Sequence, residues 1–151
     1  AVVAVGACLG DADFEVRAEA VDALEQLAPG GAEEAVEACS SRLEHPDAQV
    51  RSAALEALSR VARRGDARVV AAVTARLRDA DFDVRYAAVE ALHEVAEAGH
   101  APSVAALLGC LEDGIAHVRF AALQALAKLA ASGDPRVAPA VAARLEDEQE
   151  P

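Results

Sequence analysis

Tryptophan and methionine are missing from this sequence, and aromatic residues make up only 3% of its 151 positions. A core built around large rings is therefore excluded, because such rings normally supply much of a globular domain's buried area. Basic charge is scarce too. Fourteen Lys and Arg face 26 Asp and Glu, a formal net charge of −12, and Lys128 is the single lysine. That balance opposes nucleic-acid binding, which needs a basic footprint. It suits a charged partner of basic character. No apolar run reaches the roughly 18 to 20 residues that span a bilayer, so direct membrane insertion is not expected. The opening AVVAVGACLG is apolar but short and lacks a basic leader. Cys8, Cys39 and Cys110 are odd in number and lack CxxC spacing. They fit a reducing intracellular compartment, cytoplasm or organelle interior, better than a disulfide framework.

What the sequence has is alanine and a period. Val16-Arg17, Val50-Arg51, Val84-Arg85 and Val118-Arg119 recur at a step of 34. Leu9, Leu43, Leu77, Leu111 and Leu145 keep the same step, as do Gly31, Gly65, Gly99 and Gly133. Three ladders in fixed phase mean one structural unit stacked repeatedly. Such a unit buries its apolar face against its neighbours and not against itself. Within a unit, Val16, Ala20, Leu24 and Leu27 fall at helical spacing. Asp13, Asp47 and Asp81 precede this helix, where a carboxylate can cap free amides, and the glycine ladder closes it. We designate it helix B. Helix A follows, with Ala35, Val36, Cys39 and Leu43 in the same unit. Pro102 and Asp134-Pro135 mark helix A starts. The spacing predicts B helices over 14–28, 47–63, 81–97 and 115–131, and A helices over 2–9, 34–43, 67–77, 102–111 and 136–146. A single repeat domain over 1–146 and an acidic tail at 147–151 follow. The chain opens on half a unit and without Met, which suggests trimming or processing. Val2, Val3 and Val5 at one end, and Val141 and Leu145 at the other, are expected to leave apolar surface uncovered.

A period of 34 also fits tetratricopeptide repeats, but their Trp, Gly, Tyr and Pro pattern is absent. The recurring phrase is Asp-x-x-Val-Arg-x-x-Ala-x-x-Ala-Leu, at Asp13, Asp47 and Asp81, with Ile115 replacing the Asp in the fourth unit. This resembles HEAT repeats, particularly the short type of bilin-lyase-like proteins. The resemblance implies an all-α, right-handed α-solenoid of about four and a half helix pairs, with B helices concave. It implies no reaction. It also implies a structural ladder of Asp13, Arg17, Asp47, Arg51, Asp81, Arg85 and Arg119 between units, in which Ile115 breaks one rung. Arg makes forked, charge-assisted bonds to carboxylate, which suits that role.

Candidate chemistry is thin. Glu90-x-x-His93 has the spacing of half a di-iron site, but such a site needs the motif from two helices, and here it occurs once. His93-Glu94 resembles the His-Glu pairs of HEAT-type deoxyhypusine hydroxylases. The equivalent slots hold Glu25-Gln26, Ser59-Arg60 and Ala127-Lys128, so that activity is rejected. The cysteines read as small buried hydrophobes, with nothing basic nearby to activate a thiolate. No catalytic residue, metal or cofactor is assigned. Helix B slots at relative spacing 0, +3, +7 and +10 face one way. They place Asp22, Glu56 and Glu90 in an acidic row, with Asp83, Tyr86, His93, His117 and Phe120 beside it. Tyr86 and Phe120 fall in adjacent units, roughly 10 Å apart at normal helix spacing. Aromatics beside carboxylates suit a partner bearing Arg or Lys. Phe14 and Phe82, at the turn before helix B, read as packing residues. The expectation is a non-catalytic protein-interaction scaffold that takes a protein with a basic segment on its concave face. Two rivals stand beside it: an accessory structural subunit of a large assembly, and a bilin-lyase-like or other enzyme-associated role.

Overall fold

The computed structural model describes residues 1–131 and 133–147, the side chains of 145–147 excepted. Of the acidic tail expected at 147–151, Asp147 is the last residue of α9, and the rest, like the side chain of Leu145, lies outside the described residues. Among these residues there are nine helices and no strand. They are α1 (Val2–Cys8), α2 (Phe14–Leu27), α3 (Glu33–Ser40), α4 (Ala48–Val61), α5 (Ala67–Arg76), α6 (Phe82–Val95), α7 (Ala101–Cys110), α8 (Ala116–Leu129) and α9 (Val137–Asp147). The fold is an all-α repeat solenoid in which odd-numbered A helices alternate with even-numbered B helices. Every end lies within three residues of its expected position. The largest difference, at the end of α3, has a local cause. Arg42 and Leu43 donate their N–H groups three residues back, to the carbonyls of Cys39 and Ser40, so the helix closes in a tighter turn.

The core runs through the stack as one continuous cluster. Leu24, Leu58, Leu92 and Leu126, one per B helix, are fully buried, and Leu9, Val21, Leu55, Leu107 and Leu129 join them. Alanines Ala54, Ala57, Ala88, Ala91, Ala122 and Ala125 are buried between these positions and let the B helices approach closely. B helices pack on one another far more extensively than α5 packs on α3 or α7. Closer spacing on the B side curves the stack and makes that side concave. At the N-terminal end Val3 is exposed, while Val2 and Val5 are partly buried against the core. Val141 is partly buried on α9.

Caps and turns repeat with the units. Asp13, Asp47 and Asp81 each accept the backbone N–H two residues on, at 2.7, 2.8 and 2.9 Å. Ile115 cannot, and α8 has no side-chain cap. After α4 the chain turns at Gly65, with φ +84°. Its N–H donates to the Val95 carbonyl of the next unit at 2.7 Å. A Cβ there would meet the Glu97 side chain at 2.7 Å, so backbone conformation and neighbour both call for glycine.

The ladder between units differs from expectation in its acids. Arg51 places Nε and Nη2 on Asp79, at 3.0 and 2.8 Å. Arg85 does the same with Asp113, at 2.7 and 3.1 Å. Asp13, Asp47 and Asp81 are caps and not rungs. The acid that receives the fork sits two residues before the cap of the next B helix, where the turn brings it over the preceding arginine. Ile115 therefore removes a cap and leaves the Arg85–Asp113 rung intact. Arg17, Arg51, Arg85 and Arg119 each also donate through Nη1 to the carbonyl six residues back, at 2.8, 2.7, 3.0 and 2.7 Å. Each arginine thus fastens the turn that leads into its own helix. Among the described residues the Arg17 side chain makes only such own-unit bonds, to the carbonyls of Asp11 and Ala12.

Candidate functional site

The concave side carries a groove of about 720 Å³ over α2, α4 and α6. The heptad-like slots of the B helices point into it because Ala and Leu occupy the opposite face. Of the expected binding residues, Glu56, Asp83, Tyr86, Glu90 and His93 line it. Asp22 reaches it through an ion pair with Arg60, which is itself part of the wall. His117 and Phe120 are exposed on α8 but outside the groove, because both sit near the start of the next B helix along.

The acidic row is only partly free. Arg60 Nη1 donates to Asp22 at 2.6 Å and to Glu25 at 3.2 Å, and its Nη2 donates to Glu56 at 2.8 Å. One guanidinium thus clamps three carboxylates from two helices. The sequence signal for it was the Glu56/Arg60 pair at i, i+4. Farther along, Glu94 lies 3.7 Å from Arg64 and 2.9 Å from His93 Nε2. Asp83 and Glu90 make no ion pair among the described residues, so they carry the groove's unneutralised negative charge.

His93 corrects an expectation. It is only 7% exposed, held between Glu94 and the Lys128 ammonium, 3.4 Å from its Nε2. Its Nδ1 has no hydrogen-bond partner among the described residues. A ring so enclosed forms the groove's floor and does not reach out to a partner. Phe14 and Phe82 correct another: they are exposed, Phe14 at 70%, and do not serve as packing. Both are the first residue of a B helix, where the side chain swings outside the inter-unit seam. With Tyr86, 42% exposed, and Phe120 they make all four aromatics of the chain solvent-facing. Phe14 and Tyr86 border the groove from α2 and α6.

The thiols divide. Cys39 and Cys110 are buried, and that burial pushes their pKa up to about 12 and about 11. Cys8 is exposed, contrary to the buried role expected of it, because it closes the short α1. Among the described residues no group of three or more His, Cys, Asp or Glu is placed to hold a metal ion. No helix among them is long and apolar enough to cross a membrane. On the convex side a second groove, about 830 Å³, separates α5 from α7 and is lined by small and polar residues, among them Ala71, Thr74, Ser103 and Ala106. The convex arginines Arg76 and Arg144 are engaged across units, with the Leu43 carbonyl at 3.0 Å and with Glu112.

Stacked helix pairs, an inter-unit arginine ladder and a concave groove define an α-solenoid repeat protein, a class typical of protein-interaction scaffolds. The HEAT repeat family model matches residues 3–93 and 76–151, and the chain belongs to that family. No curated protein matches it. Among solved structures it is similar to an engineered protein from a structural genomics consortium, with TM-score 0.62 and 24% identity over 95% of this chain and 67% of that one. It is also similar to a designed armadillo repeat protein in complex with the peptide (KR)4, with TM-score 0.66 and 21% identity over 99% of this chain and 74% of that one. A further designed armadillo repeat protein gives 0.55 and 22%, over 85% and 64%. At such identities the likeness is one of fold.

Proposed function

We propose that this chain is a non-catalytic interaction scaffold whose concave groove binds a protein segment bearing Lys or Arg. The observation that carries the reading is the pairing of exposed rings with unneutralised acid in one groove: Tyr86 on α6 with Asp83 and Glu90, and Phe14 bordering the same groove from α2. A ring offers a flat apolar face to a methylene stem or a cation, and the carboxylates steer the cation toward it. The designed armadillo protein of similar fold was solved with a peptide of alternating Lys and Arg, which supports the choice of partner chemistry.

Fluorescence anisotropy with a labelled Lys/Arg-rich peptide tests it. Tyr86→Ala should weaken binding about tenfold or more, mainly through faster dissociation. Asp83→Lys with Glu90→Lys should mainly slow association, and less so at high salt. Arg60→Ala should strengthen binding, because Asp22, Glu25 and Glu56 lose their internal cation. Unchanged affinity in all three variants would remove the concave face from consideration. The α5–α7 groove on the opposite side favours the rival reading of an accessory subunit, since it offers a second surface for packing within an assembly.

A further inference from the structure

The first junction of the solenoid has an arginine without its acid. Arg51 and Arg85 each use Nη1 on backbone carbonyls and turn the Nε/Nη2 edge to a carboxylate 28 residues on, Asp79 and Asp113. At Arg17 the same step reaches His45. The His45 ring replaces one function of that slot: its Nδ1 accepts the Asp47 N–H at 3.1 Å, as Asp79 accepts that of Asp81 at 3.0 Å. It cannot accept the forked pair of bonds. Arg17 is only 6% exposed, its Nη1 holds the carbonyls of Asp11 and Ala12, and its Nε and Nη2 have no hydrogen-bond partner among the described residues. Neither nitrogen is sealed off. The polar side-chain atoms buried without a partner among the described residues are Ser52 Oγ, Arg76 Nε and His93 Nδ1. Arg17 also lines the concave groove, as do Phe14 and Gln49.

We propose that the open Nε/Nη2 edge of Arg17 is a carboxylate-binding site that receives an Asp or Glu side chain of the segment bound in the groove. This deepens the reading of the groove as a site for a basic segment, and rests on it for the source of the acid. A planar edge of two parallel N–H groups matches carboxylate geometry. The site is held ready by the carbonyl bonds on Nη1, so little side-chain freedom is lost on binding. It also gives the groove a direction. The basic residues face Asp83 and Glu90 on α6, and the acid lies toward α2. B helices stand about 10 Å apart, and an extended peptide rises about 3.3 Å per residue. The acid therefore falls about six residues from a cation at Glu90, two helices away.

Two Lys/Arg-rich peptides test the site, identical except for Glu or Gln at five to seven residues from the basic end. They are titrated into wild type, Arg17→Lys and His45→Asp. In His45→Asp the internal carboxylate fills the fork, as Asp79 does for Arg51. Wild type should favour the Glu peptide several-fold. His45→Asp should reverse that preference, since the remaining groove repels added negative charge. Arg17→Lys should shrink it, because an ammonium lacks the fork. A preference that survives His45→Asp, or is absent in wild type, overturns the proposal. An independent measurement follows the Arg17 Nε–Hε NMR resonance during titration with sodium acetate. It should move in wild type and stay fixed in His45→Asp. If it moves as expected while neither peptide binds, the carboxylate site stands and the basic-segment reading falls. No movement in wild type overturns the carboxylate site itself.

Discussion

Removing the Asp79 carboxylate should be among the most damaging single changes outside the leucine core. Its side chain is 5% exposed and that of Arg51 14%. Asp79→Ala deletes the two forked bonds from Arg51 and the bond from the Asp81 N–H at 3.0 Å that shapes the turn into α6. Stripping one partner from a fully buried ion pair costs about 3–5 kcal/mol, because the remaining charge stays desolvated. Arg51 keeps a little solvent and its bonds to the carbonyls of His45 and Pro46, so about 2–4 kcal/mol is expected. For a chain of this size that lowers the melting temperature by roughly 5–15 °C. Arg60→Ala provides the contrast. It breaks more ion pairs, but the carboxylates are over half exposed, and the loss should stay below about 1 kcal/mol.

The same rung sets an acid limit. Burial alone would push the Asp79 carboxyl up. The Arg51 fork, the Asp81 N–H and the charges of Arg51 and Arg76 outweigh it and hold the carboxyl below its ordinary value of 3.8. A carboxyl lowered in the folded state contributes its full stability above the unfolded value. That contribution drains away as pH falls through the lowered one. Urea melts by circular dichroism at pH 7 and at about pH 3 measure both effects. The wild-type advantage over Asp79→Ala should narrow in acid. A loss at pH 7 no larger than that of Arg60→Ala, or an advantage that grows in acid, would refute the reasoning.

Leu92→Ala should cost about 2–5 kcal/mol in the same melts, as a fully buried side chain replaced by a cavity between α6 and its neighbours. Alkylation by iodoacetamide at pH 8, followed by mass spectrometry, should label Cys8 first. Cys39 and Cys110, whose thiols burial raises to about 12 and about 11, should react only on unfolding.

The sequence by itself determined the period, the nine helices among the described residues and the residues that fill the seam. These depend on short-range physics: 3.6-residue spacing, a carboxylate cap at Asp13, Asp47 and Asp81, and a glycine at the turn. It also placed Glu56, Asp83, Tyr86 and Glu90 on one face, because a helix maps spacing onto direction. Only the tertiary structure decided which groups meet across units. The resemblance carried by Asp-x-x-Val-Arg implied rungs to the motif's own Asp, yet Arg51 reaches Asp79, which the turn before α6 brings over it. The stacking of units also seats Arg60 among three carboxylates and encloses His93 between Glu94 and Lys128, while Phe14 and Phe82 are left in solvent. A 34-residue repeat encodes what each unit is. How neighbouring units pack decides which side chains touch and which edge of Arg17 stays open.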